Sequence, residues 1–414
     1  MKRIRPIRKF LNLLVKIIPV LLIGFFIIPK IITLTSPPSP AESPESPETP
    51  EQPTETATPE DESVKYLAEK VLKNLTLDQK IGQMLIIRNR YTKMTPEFAA
   101  EISDLKPGGY IIFNENITTL AETKKLISDS REKIEAANLI TLEDGTTLKI
   151  PAFISTDQEG GSVQRLQSVS DYPPEYIPPM SEIDSTDTAY KTGQLLAEEC
   201  KNIGLNLDFA PVADIFSNPQ NTVIGNRAFG TDKNTVADMS TALARGLRDS
   251  DIIPVFKHFP GHGDTITDSH QSLPIVTKSL DELEGNELYP FKKAIESGAE
   301  MIMVAHIALP NITGDYTPAS LSPKIITDLL KTQLNYSGLV ITDGLDMGAL
   351  TNNYSGTKIA IKAVIAGADL LLTPVSPLEA KSAILSAVKD GTISESRIDK
   401  SVQKILELKL RRLN

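Results

Sequence analysis

The sequence predicts a single (β/α)8 barrel of the TIM type, and three observations carry that prediction. From residue 64 onward, eight short apolar runs alternate with longer stretches of helical periodicity. The runs are apolar on both faces, as strands of a parallel sheet covered on both sides must be. Several of them end in titratable residues, which is the pattern of a barrel whose strand C-termini share one functional face. A doubly wound open sheet shows the same alternation and is the structural alternative.

The predicted strands are GQMLIIR (82–88), GGYIIF (108–113), AFISTD (152–157), LNLDFAPV (205–212), IPVFKH (253–258), MIMVAH (301–306), LVITDG (339–344) and DLLLTP (369–374). Between them, stretches such as NTVADMSTALARGLRDS and SPKIITDLLKTQLN repeat apolar residues at helical spacing. The connections 114–150 and 158–204 leave room for active-site loops but not for a second domain of ordinary size.

Ahead of the barrel, residues 1–35 read as a membrane anchor or signal segment. A basic opening, MKRIRPIRKFLNLLVK, leads into the apolar run IIPVLLIGFFIIP. Phe10–Pro29 gives twenty residues with only Lys16 inside, and a lysine near the end of a span can snorkel to the interface. The following KIITLTSPPSPAES lacks a small-x-small cleavage site, which favours an uncleaved signal-anchor over a removed signal peptide. The basic flank predicts an inside N-terminus and a body exported to the outer face of the cytoplasmic membrane, or secreted if the segment is cleaved. Residues 36–60 hold eight prolines, six glutamates and no aromatic residue, a composition that cannot bury enough apolar surface to order itself. Extended as polyproline II, that linker spans roughly 75 Å. The barrel body is expected over 61–414.

Charge and cysteine content narrow the function classes. Seven of the 43 Lys and Arg residues fall in 1–30, leaving 36 against 53 acidic side chains, a balance of -17. Such an acidic body disfavours nucleic acid as a partner. The one cysteine, Cys200, excludes an intramolecular disulfide and lies in a helical stretch, where it reads as packing.

Asp157, Asp214, Lys257, His258, His306 and Asp343 fall at or just past predicted strand ends. All four histidines of the chain, His258, His262, His270 and His306, map to this face or its loops. The segment KHFPGHGDTITDSH (257–270) is broken by Pro260, Gly261 and Gly263, so His258 and His262 do not share a helical face. That weakens a metal site made of His258, His262, Asp264 and His270, whose spacing needs a helix. Asp343 taken alone reads as a helix N-cap; its place on the histidine-bearing face gives it a second meaning.

These segments together resemble glycoside hydrolase family 3, and the Asp-Ser-His ending of the loop is similar to the family's bacterial β-N-acetylglucosaminidase branch. STDQEGGSVQRL (155–166), LDFAPVADI (207–215), IGNRAFGTD (224–232), KHFPGHGDTITDSH and ITDGLDMGAL occur in the family's order. The resemblance implies a retaining β-N-acetylhexosaminidase with Asp343 as nucleophile, His270 as general acid/base and Asp268 as its polarising partner. It implies sugar binding by Asp157, Arg165, Arg227, Lys257 and His258, with a salt bridge as the plain alternative for Arg227 and Lys257. Asp214 reads as support behind the site and His262 as a loop organiser, while His306 sits beside the site without a sharp role. The chemistry is coherent, since retention needs a carboxylate on one face of the sugar and a proton donor for the leaving oxygen. An imidazole serves both as acid and as base near neutrality.

The implied partner is a carbohydrate, an N-acetylglucosamine-containing glycan or muropeptide, together with the membrane through the N-terminal segment. No organic cofactor or metal is implied, and the oligomeric state is left open. With no tryptophan in the chain, any stacking platform must come from Tyr, Phe or Met. Three other readings remain: a β-glucosidase or β-xylosidase of the same family, a phosphorolytic variant, and a tethered sugar receptor without turnover.

Overall fold

The computed structural model describes residues 58–171 and 176–413. The basic–apolar segment and nearly all of the Pro/Glu-rich linker lie outside the described residues. The chain divides into units 1–55 and 56–414, and the structural account concerns the second.

Among the described residues, the first helix starts slightly before the linker boundary drawn at residue 60. Helix Pro59–Asn74 starts inside that segment because Thr58 caps it, accepting from the Asp61 N–H while Asp61 reaches back to the Thr58 backbone. Proline at the first helical position suits this start. The helix lies against the C-terminal helix Glu395–Arg412, burying Ala68, Val71 and Leu75.

Eight parallel strands follow: β1 (Leu85–Arg88), β2 (Gly109–Ile111), β3 (Phe153–Thr156), β4 (Leu207–Asp208), β5 (Ile253–Phe259), β6 (Met301–Val304), β7 (Leu339–Thr342) and β8 (Leu371–Leu372). Each pairs with its neighbour in sequence, and β1 pairs with β8. A parallel bridge between Ile341 and Leu370 joins β7 to β8 and closes the barrel, which excludes the open doubly wound sheet.

Most strands are shorter than predicted, for local reasons. Residues 82–83 belong to the helix Leu77–Gln83, capped by Thr76 and Gln79, so β1 starts only at Leu85. Around β4 the ladder continues as single bonds, Phe209 N–H to Thr156 O and Val255 N–H to Ala210 O, while Pro211 contributes no donor. Lys257 and His258 lie within β5 rather than at its end.

Helices cover the outside of the barrel. Thr186–Ile203 follows β3 and Lys233–Asp249 follows β4, and these two pack closely against each other. Cys200 is fully buried in the first of them, and burial pushes its thiol up. Among the described residues no helix is long and apolar enough to cross a membrane.

Candidate active site

The C-terminal ends of the strands surround a cavity of about 890 Å3, counting the space open to solvent. Asp157, Arg165, Arg227, Lys257, His258, His262, His270 and Asp343 all line it. Asp214 and His306 stand behind it, fully buried. Asp268 meets the cavity through its partner His270.

One wall is built on β3, β4 and β5. Asp157 directly follows β3, and the chain reverses at Gly160 and Gly161, with φ of +92° and +55°. A Cβ on Gly161 would lie 2.6 Å from Pro179 Cβ, so only glycine fits this turn. The reversal brings Arg165 back to Asp157, its Nη2 3.4 Å from Oδ2. Lys257 rises from β5 and donates to Asp157 Oδ1 at 2.8 Å.

Glu159, a residue the sequence reasoning left without a role, is the centre of this wall. It takes a bidentate pair from Arg227 at 2.8 and 2.7 Å and lies 2.6 Å from Lys257 Nζ. Burial alone would raise both acids, but Arg227 and Lys257 hold Glu159 far below the usual carboxylate range. Lys257 and Arg165 likewise hold Asp157 down against its burial. The same pairing outweighs burial for Lys257 and raises its ammonium. Charged groups this deep are tolerated because each is paired. The salt-bridge alternative for Arg227 and Lys257 is thus present, with both residues still facing the cavity. A second carboxylate two residues after Asp157 was the signal that could have found Glu159.

Asp214 organises the histidine loop. Its Oδ2 lies 2.6 Å from His258 Nδ1 and also accepts from the His258 N–H, while Oδ1 accepts from the His262 N–H at 2.6 Å. His258 Nε2 is left without a protein partner among the described residues. His262 engages Thr265 through Nδ1 and Ser269 through Nε2, tying the loop across its base. Burial, helped by neighbouring His258, holds the His262 imidazole down at about 4.

Asp343 directly follows β7. Its Oδ1 accepts from the Gly344 N–H at 2.7 Å, and the carboxylate has no other hydrogen-bond partner among the described residues. It does not cap a helix, because the next helix begins only at Gly348. Burial by itself would raise the carboxyl; His306, His258, the Gly344 N–H and Lys257 outweigh it and hold it down at about 2. His306 acts from behind, with Nε2 2.7 Å from Gly344 O and Nδ1 2.7 Å from Ser320 Oγ. A carbonyl only accepts, so Nε2 carries a proton, while the serine hydroxyl can donate to Nδ1 or accept from it. Burial lowers the imidazole, with Asp343 and the Gly344 carbonyl acting against it.

His270 stands at the mouth, its side chain 67% exposed, with Nδ1 2.8 Å from Asp268 Oδ1. The Asp268 carboxyl is held low: slight burial raises it, but the N–H and ring of His270 prevail. The loop docks on the segment after β7, where Gly348 and Ala349 N–H groups donate to the carbonyls of His270 and Ser269, both at 3.1 Å. The pair therefore opens onto the same cavity as Asp343. A buried ionised carboxylate facing an exposed His–Asp pair can support nucleophilic attack and proton transfer on one substrate.

Residues 76–408 match the model of the glycosyl hydrolase family 3 N terminal domain. The chain is 29% identical over 374 residues to a protein named beta-hexosaminidase A from Pseudoalteromonas piscicida, covering 81% of this chain and 61% of that one. It is 34% identical over 288 residues to the beta-hexosaminidase LpqI of Mycobacterium tuberculosis, covering 65% and 73%. A solved family 3 β-N-acetylglucosaminidase from Paenibacillus superposes with a TM-score of 0.75 at 36% identity, covering 82% of this chain and 63% of that one.

Proposed function

The chain belongs to glycosyl hydrolase family 3, and on that premise we propose that it is a retaining exo-β-N-acetylhexosaminidase. It removes terminal β-linked N-acetylglucosamine from wall-derived or related glycans. The observation that carries this reading is Asp343, an ionised and nearly unpartnered carboxylate in the barrel's cavity, sharing that cavity with the His270–Asp268 pair.

In the first step Asp343 Oδ attacks the anomeric carbon, the glycosidic C–O bond breaks, and His270 gives a proton to the departing oxygen. In the second, His270 takes a proton from water, the water oxygen attacks the same carbon, and the ester to Asp343 breaks. Asp268 holds the imidazole and stabilises its charged form between the steps. Asp157, Arg165, Arg227, Lys257 and His258 hold the sugar. Their mutual ion pairs fix the donors before substrate arrives, so little ordering remains for binding.

The N-terminal segment is proposed to tether the enzyme on the outer face of the cytoplasmic membrane, with the Pro/Glu-rich segment as spacer. The basic flank and uncharged apolar run support that reading. Recovery of the full-length protein in the soluble fraction at its full mass would overturn it.

Activity is tested with aryl β-N-acetylglucosaminide and aryl β-glucoside, comparing wild type with Asp343→Asn. The expected outcome is turnover of the acetamido sugar alone, lowered roughly a thousandfold or more in the variant. A slow fluorinated N-acetylglucosamine analogue should label the Asp343 peptide, and labelling elsewhere removes the nucleophile assignment.

A further inference from the structure

Behind the wall made by β3, β4 and β5 stands a buried acid that the reaction does not use. Asp208 ends β4 and is fully buried. Its Oδ1 accepts from the Gln158 N–H at 2.9 Å. Its Oδ2, also buried, has no hydrogen-bond partner among the described residues.

Gln158 is well placed to pass on what Asp208 does. It lies between Asp157 and Glu159 and opens a short antiparallel hairpin, Gln158–Gly160 against Val163–Gln164. Its side chain is fixed at both ends: Oε1 accepts from the Leu166 N–H at 3.2 Å, and Nε2 donates to Glu199 Oε2 at 2.6 Å. Leu166 directly follows Arg165. The hairpin thus carries Asp157 and Glu159 on one arm and Arg165 past the other, and Gln158 ties the two arms from behind. Asp208 supplies the acceptor for the Gln158 N–H, a group too deep to turn to water instead.

The charge state of Asp208 follows from its surroundings. Lys257 pairs with Asp157 and Glu159, Arg227 with Glu159, and Arg165 with Asp157. No cation among the described residues is left to pair with Asp208. Asp157 and Glu159 face it from the hairpin, Lys257 acts on it from β5, and Cys200 on helix Thr186–Ile203 feels both Asp208 and Glu199. Burial raises the Asp208 carboxyl well above its ordinary range; the Gln158 N–H and Lys257 oppose this, and Asp157 and Glu159 reinforce it. An ionised carboxylate with an orphan oxygen costs far more in such a place than a neutral one. With Oδ1 accepting, the proton sits on Oδ2.

Resting on the hexosaminidase reading, we infer that Asp208 is a positioning residue for the sugar-binding wall and works as an uncharged acid. It holds the Gln158 N–H, and through Gln158 it sets the places of Asp157, Glu159 and Arg165. Being neutral, it does so without competing with Asp157 and Glu159 for Lys257, whose ammonium faces the sugar.

The test uses wild type, Asp208→Leu and Asp208→Asn. The Kd of N-acetylglucosamine by calorimetry and the KM for an aryl β-N-acetylglucosaminide are read, because neither depends on the fraction of protein folded. Asp208→Leu removes the acceptor and should weaken both by about tenfold. Asp208→Asn keeps an acceptor and is uncharged at every pH, so both constants should stay within about twofold of wild type. Melting separates a neutral acid from a charged one. A carboxyl whose folded value is raised contributes stability at low pH that is lost as pH rises toward that value. Asp208→Asn lacks this loss, so its melting temperature should gain on wild type by about 3 °C or more between pH 5 and 8. Unchanged constants in Asp208→Leu overturn the positioning role, as does a tenfold weakening in Asp208→Asn. A melting difference that stays flat, or turns against Asp208→Asn, overturns the uncharged acid. Should Asp208→Leu not fold, the binding and melting of Asp208→Asn decide alone. Wild type that binds the sugar without turnover removes the hexosaminidase reading and leaves Kd and melting to decide Asp208; wild type that does neither overturns both.

Discussion

At the scale of single residues, the candidate site holds carboxylates whose charge is fixed by neighbours. Asp343 is held down at about 2, so it is ionised throughout the neutral and mildly acidic range. Any loss of activity between pH 6 and 4 should therefore come from another group. In pre-steady-state measurements, the acid limb should not track protonation of Asp343. His262 shows the opposite balance, since burial holds its imidazole at about 4 against an ordinary 6.5. A depressed folded value gives stability that is complete above the unfolded pKa and lost as pH falls toward the folded one. Wild type should lose roughly 3 kcal/mol between pH 7 and 4 from this group. Denaturant unfolding of His262→Gln across that range should show a flatter profile, and an unaltered slope would remove His262 as the source. Glu159→Gln should lower the melting temperature and weaken substrate binding, since it leaves Arg227 without its bidentate partner.

At the scale of elements, two contacts decide how the helices seat on the barrel. Helices Thr186–Ile203 and Lys233–Asp249 approach at Gly193 and Gly246, where an added Cβ would come within 2.2 Å of Leu243 O and 2.1 Å of Tyr190 O. Gly246→Ala should cost about 1–3 kcal/mol in chemical unfolding, because backbone rather than a movable side chain must yield. The C-terminal helix Glu395–Arg412 reaches the barrel through Lys409, which is buried and donates to Gln83 Oε1 at 2.8 Å and Gly108 O at 2.7 Å. Burial without an adjacent carboxylate pulls its ammonium down to about 7. The folded value is depressed, so the stability this lysine contributes grows as pH rises from 7 toward its unfolded pKa. Melting of wild type should shift upward from pH 7 to 9, while Lys409→Met should lack that shift and start lower, with two buried acceptors unsatisfied.

For the whole molecule, the capped helix Pro59–Asn74 is part of the fold of the barrel unit. It buries Ala68 and Val71, and Asp61 Oδ1 lies 3.7 Å from Arg411 Nη1. A protein starting at Thr58 should keep the melting temperature and activity of the same chain with residues 1–57. Removal through Leu75 should destabilise it by several kcal/mol, since three buried side chains and their packing are lost. Equal melting of the two truncations would show the helix to be dispensable.

The sequence by itself determined the barrel, the functional face and eight of the residues that line the cavity. Strand period, buried apolar runs and polar strand ends are local signals, and each is written in adjacent residues. Asp343 and His258 were legible for that reason, whereas the roles of His270, Arg165 and Arg227 came from the family resemblance. The tertiary structure decided what depends on partners far apart in the chain. Glu159 gained its role only when Arg227 and Lys257 met it, 68 residues away in the case of Arg227. Arg88 and Asp346 are 258 residues apart and become one wall only because β1 closes against β8 and β8 against β7. The ionisation of Asp343 is likewise set by His306 and His258 across the cavity, through burial and charge that no local pattern encodes.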